Sequence, residues 1–220
     1  MSSIRVRYET IEFGQTDIHI RSLRDKQEFH DPFGEAEYCG ISSSQWSLFG
    51  VVWDSSRILA DEMVLYDIAG KRILEMGCGI GLASLLLNSR DADITATDYH
   101  PEVGRFLIEN VRLNGGRDIP FLQTDWVNER DNLGLFDVLI GSDIIYEVEH
   151  ANFLSRFIDR HSRPNCEVII VDPGRRHYAK FSQMMLALGY SCEQSKPLNS
   201  APEIISSKCK ILRYSKSRMQ

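Results

Sequence analysis

The chain has 220 residues, of which 43% are hydrophobic and 25% charged, with a formal net charge of −6 at pH 7. This length and composition suit one α/β domain, and the negative charge disfavours a nucleic-acid partner, whose phosphates are bound mainly by Lys and Arg. No apolar run approaches the roughly 20 residues of a membrane span. Since the first residues also lack the apolar core of a signal peptide, we expect a cytoplasmic protein with no membrane partner.

The cysteines indicate a reducing environment. They are odd in number and scattered, without C-x-x-C spacing, at Cys39, Cys78, Cys166, Cys192 and Cys209. This pattern favours free thiols and argues against a zinc site, so no metal is expected.

The N-terminal part predicts a small β extension. Residues 4–23 predict two short strands around a turn at residues 14–17, because apolar and polar side chains alternate in part. Residues 24–45 are polar and irregular, which suits a lid on the substrate side or a plain loop. We expect residues 1–48 to form this hairpin and loop extension.

From residue 54 onward, helices and strands alternate. Asp54 predicts the N-cap of a helix with one apolar face. Strands are predicted near residues 72–76, 93–98, 119–123, 136–142 and 166–171, with helices near 82–89, 101–113, 148–162 and 176–188. Residues 190–195 and 204–214 predict a final antiparallel pair. The alternation predicts βαβ units and a largely parallel sheet, an α/β fold.

The most informative segment is the glycine-rich turn after the first of these strands. Gly77, Gly79 and Gly81 alternate there, and glycines at a strand-to-helix turn let backbone approach a ligand closely. Asp98, seventeen residues after Gly81, ends the next strand, where a carboxylate can accept hydrogen bonds from ribose hydroxyls. Together they predict a nucleoside-bearing cofactor at the carboxyl edge of the sheet.

The glycine spacing distinguishes between cofactors. The dinucleotide fingerprint is G-x-G-x-x-G, whereas this chain has G-x-G-x-G with Glu75 two residues before the first glycine. A carboxylate there would repel a pyrophosphate but suits the amino group and sulfonium of S-adenosylmethionine. The segment resembles motif I of the class I, seven-strand methyltransferases. An ordinary glycine-rich turn is the alternative, which Glu75 and Asp98 together disfavour.

Two further strand ends carry polar and aromatic side chains. After the third strand, Asp125 can accept from an adenine amino group and Trp126 offers a flat face. After the fourth strand, Asp143 can orient an amine nucleophile, and the ring of Tyr146 can favour positive charge. The alternatives are a loop acid with a half-buried indole, and a helix cap with a core tyrosine.

These segments together resemble the family 16 methyltransferases, the seven-strand protein-lysine methyltransferases. Asp143-Ile-Ile-Tyr146 resembles the family's D-x-x-Y motif, Gly50-Val-Val-Trp53 its G-x-x-W segment with a cofactor-contacting Trp, and Asp125-Trp126 its Asp-Trp pair. Asp172-Pro-Gly-Arg175 resembles the same segment of the lysine methyltransferase of the electron transfer flavoprotein β subunit. The matches span about residues 50–175, and residues 1–45 carry none.

The resemblance implies a doubly wound, mostly parallel, seven-strand Rossmann-like sheet with an antiparallel C-terminal strand, formed by a methyltransferase domain at residues 49–220. It implies S-adenosylmethionine-dependent transfer of a methyl group to a side-chain nitrogen of a protein, lysine for preference, with histidine or arginine as variants. The expected catalytic residues are Asp143 and Tyr146. The expected cofactor-binding residues are Trp53, Glu75, Gly77, Cys78, Gly79, Gly81, Asp98, Tyr99, Asp125, Trp126 and Ser142.

Other acceptors stay open at this point. A small-molecule N-methyltransferase is the main alternative, and it predicts a closed pocket, whereas a protein substrate predicts an open groove. A nucleic-acid methyltransferase ranks third, because it would typically carry N/D-P-P-Y/F after the fourth strand. Asp172 and Arg175 form a second candidate set, with Arg175 and Arg176 suited to an acidic protein substrate.

Overall fold

A computed structural model of the protein describes residues 4–146, 150–175, 177–197 and 208–216. Its strands are β1 (Val6–Phe13), β2 (Thr16–Leu23), β3 (Arg72–Met76), β4 (Asp93–Asp98), β5 (Phe121–Gln123), β6 (Phe136–Ser142), β7 (Ser162–Asp172), β8 (Ser191–Ser195) and β9 (Lys210–Ser215). Its helices are α1 (Glu35–Tyr38), α2 (Asp54–Val64), α3 (Leu82–Ser89), α4 (Val103–Leu113), α5 (His150–His161) and α6 (Tyr178–Ala187), with a 3₁₀ turn at Leu48–Gly50.

Strands β3 to β9 form one sheet in the order β5-β4-β3-β6-β7-β9-β8. Neighbouring strands are parallel except for β9, which runs antiparallel to both β7 and β8. The order reverses between β3 and β6, and ligands of such sheets bind at the carboxyl ends of the strands beside the reversal. The predicted doubly wound, mostly parallel, seven-strand sheet with an antiparallel C-terminal strand is confirmed.

Alternate side chains of the central strands face opposite layers of helices. Ile73 on β3 and Ile140 on β6 belong to a core cluster that includes residues of α2, α3 and α4. Leu74 and Leu139, one position along, belong to a second cluster with residues of α5 and α6. Because both faces of the sheet are covered, its inner strands are nearly continuous apolar runs rather than alternating ones.

The N-terminal hairpin of β1 and β2 is fastened to α4 by two asparagine side chains. Asn114 accepts from the His19 amide at 2.8 Å and donates to the His19 carbonyl at 2.7 Å. Asn110, one turn earlier, accepts from the Arg21 amide at 2.7 Å and donates to the Arg21 carbonyl at 3.2 Å. The two amides therefore pair with an edge of β2 much as a neighbouring strand would.

Several boundaries differ from the predicted ones. Strand β5 begins at Phe121 rather than at residue 119, because Pro120 has no N–H to donate to a ladder. Strand β7 begins at Ser162, four residues before its predicted start. Helix α1 lies within residues 24–45, which were expected to be irregular, and the 3₁₀ turn at Leu48–Gly50 lies shortly after that segment. The first residues of the predicted helix 148–162 and of the predicted strand 204–214 lie outside the described residues.

None of the helices in the described part of the chain combines the length and the apolar character needed to cross a membrane.

Candidate functional site

The glycine turn between β3 and α3 is a backbone cradle that tolerates no side chains without rearrangement. Gly77, Gly79 and Gly81 have φ values of +61°, +52° and +76°, in the region that disfavours L side chains. A Cβ on Gly77 would lie 2.8 Å from Cγ2 of Ile144, and one on Gly79 would lie 3.2 Å from the Phe49 carbonyl oxygen. Gly77 and Gly79 remain partly exposed, so their backbone is open to a ligand on the free side.

Asp98, at the end of β4, is bonded to this turn. Its Oδ2 accepts from the Gly79 amide at 2.8 Å, and its Oδ1 accepts from the His100 amide at 2.9 Å. Burial raises the pKa of this carboxyl, against the effect of the backbone hydrogen bonds. Since a carboxylate offers about four acceptor positions, Asp98 keeps capacity for ribose hydroxyls beside the glycine backbone.

Glu75 lies beneath the turn rather than on its open side. Its side chain is buried, and Oε2 accepts hydrogen bonds from the backbone amide of Ser84, at 2.8 Å, and from the Ser84 hydroxyl. Burial raises the pKa of Glu75 to about 7, although the hydrogen bonds from Ser84 act in the opposite direction. A carboxylate under the first turn of α3 also interacts favourably with that helix's dipole. Sequence reasoning missed Ser84, because no feature of the motif spacing marks it.

Cys78, between the first two glycines, fills the turn. Its thiol is buried, and burial raises the pKa well above the ordinary value, so it is not a thiolate nucleophile. Its amide donates to the Thr97 carbonyl at 2.9 Å, which joins the glycine turn to β4.

Asp125 and Trp126 follow β5 and reach the same edge of the sheet. Oδ1 of Asp125 accepts from the amides of Val127 and Asn128 at 3.1 and 2.7 Å, so the carboxylate closes its own turn. Trp126 lies against the glycine turn, with its Cζ2 4.0 Å from where a Cβ on Gly77 would be. The indole therefore forms a wall of the cradle.

The segment before α2 packs against the β4 side of the edge. Tyr99 donates from its hydroxyl to the Cys39 carbonyl. Trp53 donates from Nε1 to the Leu48 carbonyl at 3.0 Å, and the ammonium of Lys26 lies 4.1 Å from the centre of its ring. This segment therefore adjoins the predicted cofactor residues.

Asp143 is tied to the end of β7. It follows β6 with a φ of +53°, which is unusual for a residue other than glycine, and its amide donates to the Val171 carbonyl at 2.9 Å. Both carboxylate oxygens accept from the guanidinium of Arg175, from Nε to Oδ1 and from Nη2 to Oδ2, each at 2.8 Å. Ser142, just before it, pairs with Val171 in the parallel ladder. The two candidate sets that the sequence suggested separately thus meet here.

Asp172 holds the backbone that carries Arg175. Its Oδ2 accepts from the amides of Gly174 and Arg175 at 2.9 and 3.0 Å. Burial raises the pKa of this carboxyl, and Oδ1 is buried without a hydrogen-bond partner among the described residues. The turn after β7 therefore has a fixed direction, toward Asp143.

Tyr146 lies at the open side of the edge. Its side chain is 44% exposed, and its ring stands edge-on to His150 with centroids 4.5 Å apart. The same imidazole ring stands edge-on to Trp126 at 5.1 Å. Tyr146 is thus connected through one aromatic ring to the wall of the glycine cradle.

The amino-acid sequence of the chain is similar to those of known methyltransferases. The chain matches the family model described as lysine methyltransferase over residues 42–187. It is 31% identical over 140 residues to protein N-lysine methyltransferase METTL21A of Danio rerio, covering 58% of this chain and 63% of that protein. It is also 31% identical over 132 residues to the histidine protein methyltransferase 1 homolog of Dictyostelium discoideum, covering 57% and 42%. The chain thus spans less than two thirds of the length of these relatives.

The fold is shared with solved methyltransferase structures. A methyltransferase from Pyrococcus furiosus superposes with a TM-score of 0.61 at 19% identity, covering 75% of this chain and 83% of that one. At that identity the likeness concerns the fold alone. The family match, in contrast, covers more than half of this chain and includes the glycine turn, Asp98, Asp143 and Tyr146. The protein therefore belongs to the lysine methyltransferase family.

Proposed function

We propose that this protein binds S-adenosylmethionine at the glycine turn and transfers its methyl group to a side-chain nitrogen of a protein, lysine for preference. One observation carries the proposal. Ile144, next to Asp143, packs directly against Gly77 of the cradle. Asp143, which is predicted to orient the acceptor nitrogen, therefore lies beside the predicted cofactor site. Membership of the lysine methyltransferase family supports the same reaction.

The residues of the cradle suit this cofactor. A Cβ on Gly77 would collide with Ile144 and one on Gly79 would crowd the Phe49 carbonyl, so the turn presents backbone, and Asp98 keeps acceptor positions for a ribose. Trp126 offers a flat wall for an adenine. Glu75 lies buried beneath the turn, where its hydrogen bonds from Ser84 hold the start of α3 against the turn. When bound, the cofactor supplies a methyl group on a positively charged sulfur.

At the acceptor end, the chain orients a nitrogen. Asp143 accepts a hydrogen bond from the incoming amine, and the ring of Tyr146 favours the positive charge that the nitrogen gains. Holding the nitrogen in line with the methyl carbon is worth on the order of 7–11 kcal/mol of the barrier. A lysine must arrive without its extra proton, because an ammonium has no lone pair.

The exposure of the acceptor end favours a protein side chain over an enclosed metabolite. Tyr146 and Arg175 are each nearly half exposed, and the segment around Cys39 and Trp53 packs on the β4 side instead. A small-molecule acceptor is the second candidate, and the net charge of −6 disfavours nucleic acid. We place the enzyme in the cytoplasm, because all five cysteines lie in the described residues and are free thiols.

Label transfer tests the proposal. Purified protein is incubated with radiolabelled S-adenosylmethionine and a cell lysate, with and without prior protease treatment, beside the variants Asp143→Ala and Asp137→Ala. Asp137 is a matched control, since it also pairs with an arginine, Arg163 at 2.9 Å, but at the opposite end of β6. Label in a discrete protein band with wild type and Asp137→Ala, but not with Asp143→Ala, supports the proposal.

Other outcomes would redirect or overturn it. Label found only in the small-molecule fraction would replace the protein acceptor by a metabolite. A complete lack of label, together with calorimetry that detects no S-adenosylmethionine binding, would overturn the function itself.

A further inference from the structure

Asp143 and Arg175 form a carboxylate–guanidinium pair at the point where the acceptor nitrogen is proposed to bind. The two hydrogen bonds are parallel and both 2.8 Å long, a fork geometry that arginine alone provides. The Asp143 side chain is 13% exposed and that of Arg175 is 45% exposed. The pair is therefore half shielded, and its charges act on a neighbouring group more strongly than surface charges do.

Hydrogen bonds to the end of β7 fix the backbone of both residues of the pair. The Asp143 amide is fixed to the Val171 carbonyl, and Asp172 fixes the backbone amide of Arg175. The hydrogen bonds to Asp143 raise the pKa of Arg175, so that its guanidinium stays charged. Hydrogen bonds therefore fix the backbone at both partners.

An isolated Asp143 would oppose the reaction on lysine. A carboxylate within a few ångströms favours the charged form of an amine, and the charged form cannot attack a methyl group. A carboxylate already paired with a guanidinium has almost no net charge to offer, yet it keeps lone pairs that can accept a hydrogen bond from a neutral amine.

We propose, on the basis of the proposed function, that Arg175 is a positioning residue that neutralises Asp143, so that the acceptor lysine binds there as the free amine. In this step the N–H bond of the lysine ammonium breaks, the electron pair stays on nitrogen and the proton passes to solvent at the exposed side of the pair. Asp143 then orients the amine without holding it in its protonated form.

Among the described residues, other charged and titratable groups near the pair lie at the end of β7, just before β9 and at the start of β9. Asp172 and Cys209 interact electrostatically with Asp143, and burial raises the pKa of both groups. Lys208 lies beside Gly174, and Lys210 is opposite Asp172 in the β7–β9 ladder. Arg175 donates two hydrogen bonds to Asp143.

The pH dependence of transfer is the first test. Initial rates of tritium transfer from S-adenosylmethionine to the labelled band of a dilute cell lysate are measured between about pH 6 and pH 10 for wild type, Arg175→Gln and Arg175→Lys. Arg163→Gln is the matched control, because Arg163 pairs with Asp137 at the other end of the same two strands. A bare Asp143 should move the acid limb of the Arg175→Gln profile up by about one pH unit or more.

The shape of the pH–rate profiles distinguishes the proposed role of Arg175 from a merely structural one. At high pH the Arg175→Gln rate should approach that of wild type, and Arg175→Lys should keep the wild-type midpoint with a lower rate, since an ammonium cannot form the fork. A uniform loss at every pH with an unmoved midpoint would overturn the proposal. If Arg175→Gln does not fold, Arg175→Met serves as the second neutral variant.

A binding measurement tests the charge without any transfer. Calorimetry compares the affinities for S-adenosylmethionine, whose sulfur is charged, and S-adenosylhomocysteine, whose sulfur is neutral. Removing Arg175 should raise the preference for the charged ligand by about threefold or more, because an unpaired carboxylate at this edge would attract a positively charged ligand, whereas Arg163→Gln should leave it unchanged. An unchanged preference in Arg175→Gln would overturn this inference alone, while failure of wild type to transfer label would overturn the proposed function with it.

Discussion

The buried environment of the Glu75 carboxyl favours its protonated form. Its carboxyl is buried beneath α3, and the pKa there is about 7 against an ordinary value of 4.5. In the folded protein it therefore binds a proton across a range in which the unfolded chain has already lost it. The contribution of Glu75 to stability must then fall as the pH rises from about 4.5 to 7, and above that range the loss amounts to about 3 kcal/mol.

From about pH 5 to about pH 8, the stability of wild type without cofactor should fall relative to that of Glu75→Gln, which keeps an acceptor for Ser84. His100, whose pKa burial lowers to about 4, acts in the opposite direction in both proteins and cancels in the comparison. Urea unfolding of both proteins at the two pH values measures the relative fall. An equal pH difference in both proteins would show that Glu75 ionises normally in the fold.

A comparison of Gly79 with Gly115 distinguishes the effect of backbone strain from that of ligand contact. Gly79 and Gly115 both have left-handed φ values, of +52° and +62°, but a Cβ meets the Phe49 carbonyl at Gly79 and no atom within 4 Å at Gly115. Alanine at either position should cost about 1–2 kcal/mol of stability. We predict that only Gly79→Ala also weakens S-adenosylmethionine binding in calorimetry. Equal binding by the two variants would remove Gly79 from the site.

At the scale of elements, hairpin β1–β2 depends on two side chains of α4. Asn114→Ala leaves the exposed amide and carbonyl of His19 to water, which should cost about 1 kcal/mol. We predict faster hydrogen exchange at His19 and its neighbours in β2, with unchanged protection in β3 and β6. If exchange at His19 stays as in wild type, the amide pairing does not hold this edge.

Local sequence patterns were sufficient to predict most elements. Apolar runs ending in glycine or acid marked β3, β4 and β6 closely, because each run and its stop signal are contiguous in the chain. The fork between Asp143 and Arg175 was not predicted, since it depends on β6 and β7 lying side by side and on the direction of a turn. The role of Asn110 and Asn114 was missed for a similar reason, because an asparagine on a helix carries no mark of the strand it meets.

Across the whole molecule, the N-terminal extension shares its core with the methyltransferase fold. Ile18, Ile20 and Leu23 of β2 lie in the same buried cluster as Ile73 and Phe106. The division between residues 48 and 49 stays a prediction about sequence segments, but the packing argues against independent folding of the second one.

The prediction at this scale is a loss of stability on truncation. Removing residues 1–23 should expose the apolar face of α4 and lower the urea midpoint of the whole domain in one transition. Circular dichroism during urea unfolding measures this. An unchanged midpoint would mean that the extension contributes nothing to the core.

We propose that the cofactor cradle and the acceptor pair are separate parts of one site at the carboxyl edge of the sheet. The most direct measurement is calorimetric titration of S-adenosylmethionine into wild type, Asp98→Ala and Asp143→Asn. We predict binding by wild type, a loss of about 100-fold or more in Asp98→Ala, which removes the anchor of Gly79 and the ribose acceptor, and a change below about tenfold in Asp143→Asn. Equal affinities in all three proteins, or no binding by wild type, would contradict the account.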